Sequence, residues 1–275
     1  MSDFLLLHEP AIRVGFFFGI LAVMAVWELK APRRALMTSK GQRWLANLGL
    51  VFIDTLALRL LFPLMAVDVA IVAERQGWGV LTSVPIRYEI EIILGVVILD
   101  FVIYIQHVLF HALKTFWRLH MMHHTDLDFD VTTGVRFHPV EILLSMGIKM
   151  TAVALLGISP VAVILFEVLL NATSMFNHGN VCLPASLDRF LRLLVVTPEM
   201  HRVHHSVVIR ETHSNFGFNL PWWDRLFGTY HAQPGAGHES MTIGLSHIRD
   251  PRELTLLRLL ALPFTREPGK YPISS

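Results

Sequence analysis

Apolar tracts separated by short polar segments dominate the chain up to Phe176. A stretch of about 20 apolar residues can cross the hydrocarbon core as a helix. Val14–Glu28 with its flanks, Trp44–Ala73 and Glu91–Ala112 therefore predict one span each. Ile142–Phe176 is interrupted by Gly157-Ile158-Ser159-Pro160, and because Gly and Pro together punctuate a helix, this tract predicts two antiparallel spans. From Gly179 the chain becomes more polar, with turn signals at Leu220-Pro221 and Gln233-Pro234-Gly235. Pro251–Phe264 mixes leucines with Arg252, Glu253 and Arg258, the pattern of an amphipathic helix that either lies on a membrane surface or packs on the polar lobe.

Composition agrees with an all-α integral membrane bundle of four to five spans: 53% of the 275 residues are hydrophobic and 16% charged. A soluble domain carries about a quarter charged residues. The first apolar run lacks a basic n-region and a small-residue cleavage site, which predicts a retained span. Between the first two tracts lie Lys30, Arg33, Arg34, Lys40 and Arg43 with no acid among them. The positive-inside rule puts that loop in the cytoplasm. A net charge of +1 and no cluster of basic and aromatic residues argue against nucleic-acid binding. The one cysteine, Cys182, excludes an internal disulfide and a thiolate metal cluster.

The fifteen histidines change the picture most. His107 and His111 end the third tract at i and i+4, so they share a helix face about 6 Å apart at Cβ, close enough to converge on one ion. His120, His123 and His124 follow in the pattern HxxHH, and His201, His204 and His205 repeat it. Neutral imidazole is a poor core filler near a bilayer, where an unpaired polar group costs several kcal/mol. So many together imply a shared metal. All-imidazole ligation argues against calcium and magnesium, and eight histidines exceed what one zinc uses, which favours two redox-active ions such as di-iron.

His178, at the end of the last apolar tract, is a further candidate ligand, and His138, in RFHPVE, an additional one. Asp126, Asp128 and Asp130 after the first HxxHH, and Glu199 before the second, either accept hydrogen bonds from imidazole N–H groups or merely solvate loops. His8, His213, His231, His238 and His247 show no such spacing and are expected at the surface. A non-enzymatic metal-binding or metal-transport protein is the competing reading. Transport predicts ionisable groups spread along the spans, whereas the histidines gather at one membrane face and the spans carry scattered charges such as Asp54, Arg59, Asp68 and Asp100.

HVLFH, HMMHH and HRVHH in this order, the last followed by Asn215-Phe216-Gly217 and by Trp223-Asp224-Arg225-Leu226-Phe227-Gly228-Thr229, closely resemble the fatty acid hydroxylase/sterol desaturase superfamily over roughly residues 94–231. The resemblance implies a helical membrane core capped by a cytosolic lobe with a histidine-ligated di-iron site. It implies that O2 is the co-substrate and that an unactivated C–H bond of a lipid is hydroxylated or desaturated. Family ligands carry over to His107, His111, His120, His123, His124, His201, His204 and His205. His178 lies where members carry further ligands, although some have HxxxH there and this chain has Ser174 at the first position. Without a haem-attachment or dinucleotide motif, the chain needs a separate electron donor, a cytochrome, ferredoxin or reductase. The expected layout is N-terminal spans over residues 1–90, a catalytic unit over 91–231 and a membrane-surface or cytosolic segment over 232–275, in a cell inner membrane or the endoplasmic reticulum.

Overall fold

The computed structural model describes residues 2–274, among which there are helices, turns and isolated bridges but no strand. The short α1 (Ser2–Leu7) precedes α2 (Glu9–Lys30), and α3 (Lys40–Leu61) and α4 (Ala66–Gln76) follow. Next come α5 (Tyr88–Ala112), α6 (Lys114–His124), α7 (Pro139–Leu156) and α8 (Pro160–Asn177). A lobe of shorter helices completes the chain: α9 (Ala185–Leu191), α10 (Pro198–His204), α11 (Ile209–Thr212), α12 (Trp222–Leu226) and α13 (Leu256–Thr265).

Five stretches are long and apolar enough to cross a membrane, namely Glu9–Lys30, Lys40–Ser83, Tyr88–Ala112, Pro139–Leu156 and Pro160–Asn177. Much of their apolar surface points outward, including Phe16, Phe18, Phe52, Leu60 and Leu155. Such surface suits lipid, not water. The predicted break within Ile142–Phe176 is present: Gly157 takes the left-handed conformation (φ 70°) that ends α7, and Pro160 opens α8 behind an extended Ser159.

The tract Trp44–Ala73 departs from expectation. It is not one continuous helix, because Phe62 before Pro63 is extended (φ −110°, ψ 111°) and ends α3. A residue before proline avoids the helical region for steric reasons. The chain then turns so that α4 packs on α7 and α8. Buried Ala70, Leu99, Ile103, Met146 and Phe166 form the core between α4, α5, α7 and α8.

A second core, of Leu50, Trp117, Met121, Met122, Leu259, Leu262 and Tyr271, joins α3 and α6 to the C-terminal segment. The predicted amphipathic segment is a 3-10 turn (Pro251–Leu254) followed by α13, which docks on α6 and α3 through Leu259 and Leu262 while Leu257 and Phe264 stay exposed. The lobe-packed alternative describes its inner face. Leu113 is extended between α5 and α6, so the chain bends there and both helices deliver histidines to one place.

Candidate metal centre

Nine histidines gather at the junction of α5, α6, α8 and α10, all buried. They form two groups whose nitrogens lie within 4.8 Å of one another: His107, His111, His120, His124 and His204 in one, His123, His178, His201 and His205 in the other. Each HxxHH is divided between the groups. His120 and His124, one turn apart, share a face of α6, and His123 points to the other group. α10 is held by Thr197, whose hydroxyl accepts from Met200 N, and by Pro198 in the first turn. His178 caps the end of α8.

Five imidazoles are oriented through Nδ1. Those of His107, His123, His178 and His204 donate to the carbonyls of Phe216 (2.7 Å), Arg136 (3.0 Å), Ser174 (2.8 Å) and Ser214 (2.7 Å). His120 Nδ1 donates to Glu141 Oε1 at 2.7 Å. A ring that donates through Nδ1 keeps a bare lone pair on Nε2 when neutral. Yet His107 Nε2 lies 3.1 Å from His120 Nε2, and His123 Nε2 lies 3.2 Å from His178 Nε2. Lone pair faces lone pair between His123 and His178, whose Nδ1 protons are committed to carbonyls, and between His107 and His120 when Glu141 is ionised. Burial pushes His120 and His178 down to about 3, and burial with neighbouring imidazoles holds His123, His124, His201, His204 and His205 well below the ordinary value. The rings are therefore neutral donors, the state a metal ligand needs. Both nitrogens of His111 and His124, and Nε2 of His204, are buried without a hydrogen-bond partner. A cation in their group takes one nitrogen from each of these three rings, and a second cation serves the four histidines of the other group, so the donor set fits two imidazole-bound transition metals.

The acids flagged in the sequence sit elsewhere. Asp126 and Asp130 accept no imidazole proton; Arg43 reaches Asp126 at 2.7 and 2.8 Å and Asp130 at 2.7 Å. Burial would raise the Asp126 carboxyl, but the Arg43 guanidinium against it holds it far below the usual range. Asp128 caps the backbone of Met37 and Thr38, and Glu199 meets Arg33, Arg202 and His238. None of them solvates a loop, since all four are buried. The carboxylate that does hold one of the nine clustered imidazoles is Glu141, unnoticed in the sequence, where its one signal was an acid in the first turn of an apolar span. His138 lies outside both groups: its Nδ1 accepts from Val140 N to cap α7, and its Nε2 donates to Leu260 O. His238 is buried against Glu199 and Gln233, not at the surface, and His213 is half-buried with its ring centre 5.6 Å from that of His111.

The Asn-Phe-Gly segment supports the rings. Asn215 adopts a left-handed conformation (φ 54°) and its amide bridges Met200 O, His231 O and His231 N at 2.8 Å each. Asp224, from the Trp-Asp motif, accepts from Phe216 N, Gly217 N and the Thr229 hydroxyl. Together they aim the Ser214 and Phe216 carbonyls at His204 and His107. A side chain at Gly217 would press on Asp224, its Cβ only 2.8 Å from Oδ2. Ser174 donates to Gly134 O and fixes the turn beside His178.

A cavity of about 690 Å³ ends at His107 and His120 and runs between α2, α3, α5, α7 and α8. Its walls are mostly apolar, with Phe17, Leu21, Val51, Phe137 and Phe218 among them, and its lining includes the exposed Phe18 of α2 and Phe52 of α3.

Known proteins share this arrangement of sequence. Over 181 residues, 66% of the chain, it is 34% identical to the ornithine lipid hydroxylase OlsE of Rhizobium tropici, covering 52% of that protein. The alkylglycerol monooxygenases of Homo sapiens and Xenopus tropicalis are each 27% identical over 153 residues, 54% of the chain and 31% of their own length. The chain thus spans about half the length, or less, of the curated relatives it matches. No solved structure gives a significant match. The fatty acid hydroxylase family profile matches residues 92–229, half of the chain, and that region holds all nine clustered histidines and the segment that supports them. This membrane protein belongs to the fatty acid hydroxylase family.

Proposed function

We propose that the chain is an O2-dependent di-iron oxidoreductase that hydroxylates an unactivated C–H bond of a membrane lipid. One ion is held by His107, His111, His120, His124 and His204, and the other by His123, His178, His201 and His205. The observation that carries this reading is the convergence of buried imidazole nitrogens in two groups, with bare Nε2 atoms of His123 and His178 facing each other at 3.2 Å, an arrangement that a cation in each group relieves. Iron bound there supplies, from O2 and external electrons, an oxidant strong enough for an aliphatic C–H bond. Hydroxylation is preferred over desaturation because the relatives are a lipid hydroxylase and two monooxygenases.

The chain's own residues do the rest. The Nδ1 contacts to Phe216, Ser214, Arg136, Ser174 and Glu141 keep the other ring nitrogen bare and aimed inward. The cavity's aromatic and aliphatic walls receive a lipid laterally from the bilayer and exclude water from the reacting carbon. The arginine-rich loop before α3 supports a cytoplasmic site, within reach of a separate electron donor.

Metal analysis of the purified protein tests the reading. About two irons per chain are expected, and His204→Ala is expected to lower metal content and abolish lipid oxidation. A single zinc, a haem absorption band or an active His204→Ala variant would refute it. Lipid mass spectrometry of cells with and without the gene then identifies the product.

A further inference from the structure

Away from His107, His120 and Glu141, the cavity is apolar except for a band of ionisable side chains that the proposed chemistry does not use. On the side built by α2, α7 and α8 these charges are matched. Lys149 pairs with Glu167, and Arg13 bridges Glu167 at 3.1 Å and Glu9 at 2.7 Å. On the α3 side they are not. Asp54 is 7% exposed, its Oδ1 is buried without a hydrogen-bond partner, and among the described residues it joins no ion pair. It lies on the face of α3 that carries Arg43, Asn47 and Leu50, the face turned inward. Glu141 Oε2 and Gln106 Oε1, which line the same cavity, are buried without partners too.

All three orphans are oxygens. The Gln106 amide can turn either end inward, but an ionised carboxylate only accepts. A membrane-buried acid marks a functional site whose partner has to be named. Here the protein supplies none: the cavity's Arg13 and Lys149 are already paired, and Arg59 is exposed at the rim. The missing partner is a donor, and because a buried carboxylate such as that of Asp54 is stable only beside a compensating charge, a positively charged one.

We propose that the cavity selects a lipid bearing an amine, whose ammonium N–H groups donate to Asp54 and to the free oxygens of Glu141 and Gln106 while its hydrocarbon part lies along Phe17, Leu21, Val51 and Phe137. This rests on the reading of the cavity as the substrate site. A hydrocarbon leaves Asp54 unpartnered, an alcohol or sterol hydroxyl offers one uncharged donor, and a fatty acid adds like charge. Held inside the cavity, the ammonium also acts as a ruler that decides which carbon reaches His107 and His120.

Calorimetric titration of the purified full chain in detergent with dodecylamine, dodecanol and dodecanoate tests this without turnover. Dodecylamine is expected to bind on the order of tenfold or more tighter than dodecanol, with dodecanoate weakest. Asp54→Asn is expected to erase the preference for the amine and leave dodecanol affinity unchanged. Equal affinity for dodecylamine and dodecanol, tighter binding of dodecanoate, or a preference that survives in Asp54→Asn would overturn the proposal. The comparison of ligands on the unmodified protein stands whether or not the variant folds. Metal content measured on the same samples separates the two readings: iron without amine selectivity defeats only this inference, and amine selectivity without iron defeats only the proposed oxidation.

Discussion

Glu141 binds the His120 ring through one oxygen and leaves the other open to the cavity. A carboxylate behind a metal-binding imidazole fixes its tautomer and raises its basicity, and losing it costs about 10- to 100-fold in metal affinity or activity. Glu141→Gln keeps the shape and the acceptor but removes the charge, so metal affinity is expected to fall by about tenfold. Competition with a chelator measures this, and unchanged affinity would assign Glu141 to the cavity alone. The histidines were legible because three boxes in a chain with one cysteine have little packing rationale. Their orienting partners were not, because four of the five Nδ1 contacts end on backbone carbonyls, which have no signature in a sequence. Asp126 and Asp130 were open in the same way: beside HMMHH they could serve an imidazole or merely solvate a loop, and they do neither, because their partner Arg43 lies far upstream in α3.

Arg43 gives α3 its place. It locks the helix to the loop after α6 through Asp126 and Asp130, and Asn47, one turn further, bonds to Thr132 and Arg136. Removing one partner of a buried ion pair costs about 3–5 kcal/mol because a charge is left uncompensated. Arg43→Ala is therefore expected to destabilise the protein by about that amount, and Arg43→Ala/Asp126→Asn to lose less than the sum of the two single changes. Thermal unfolding in detergent checks both; additive losses would mean that the pair is not coupled. The spans themselves were legible from hydropathy, and the α7–α8 turn from Gly157 and Pro160. The end of α3 at Phe62 was missed because the apolar run continues past Pro63 and hides the break that proline makes.

Across the whole molecule, the histidines lie at one end of the bundle, and the cytoplasmic side proposed for them from the charged loop before α3 is open to test. The single cysteine offers a direct check, since Cys182 is free, exposed and four residues after His178. A membrane-impermeant maleimide is expected to label Cys182 in inverted vesicles and not in intact spheroplasts; the opposite pattern would place the histidines on the outer side. The division of each HxxHH between two groups has a consequence in time. One group waits for His204, the last residue of α10, and the other for His201 in α10 and for His205, which caps it, so during synthesis the α5 and α6 histidines emerge long before either set can close. Neither group therefore has its full complement of histidines until this one short helix is in place.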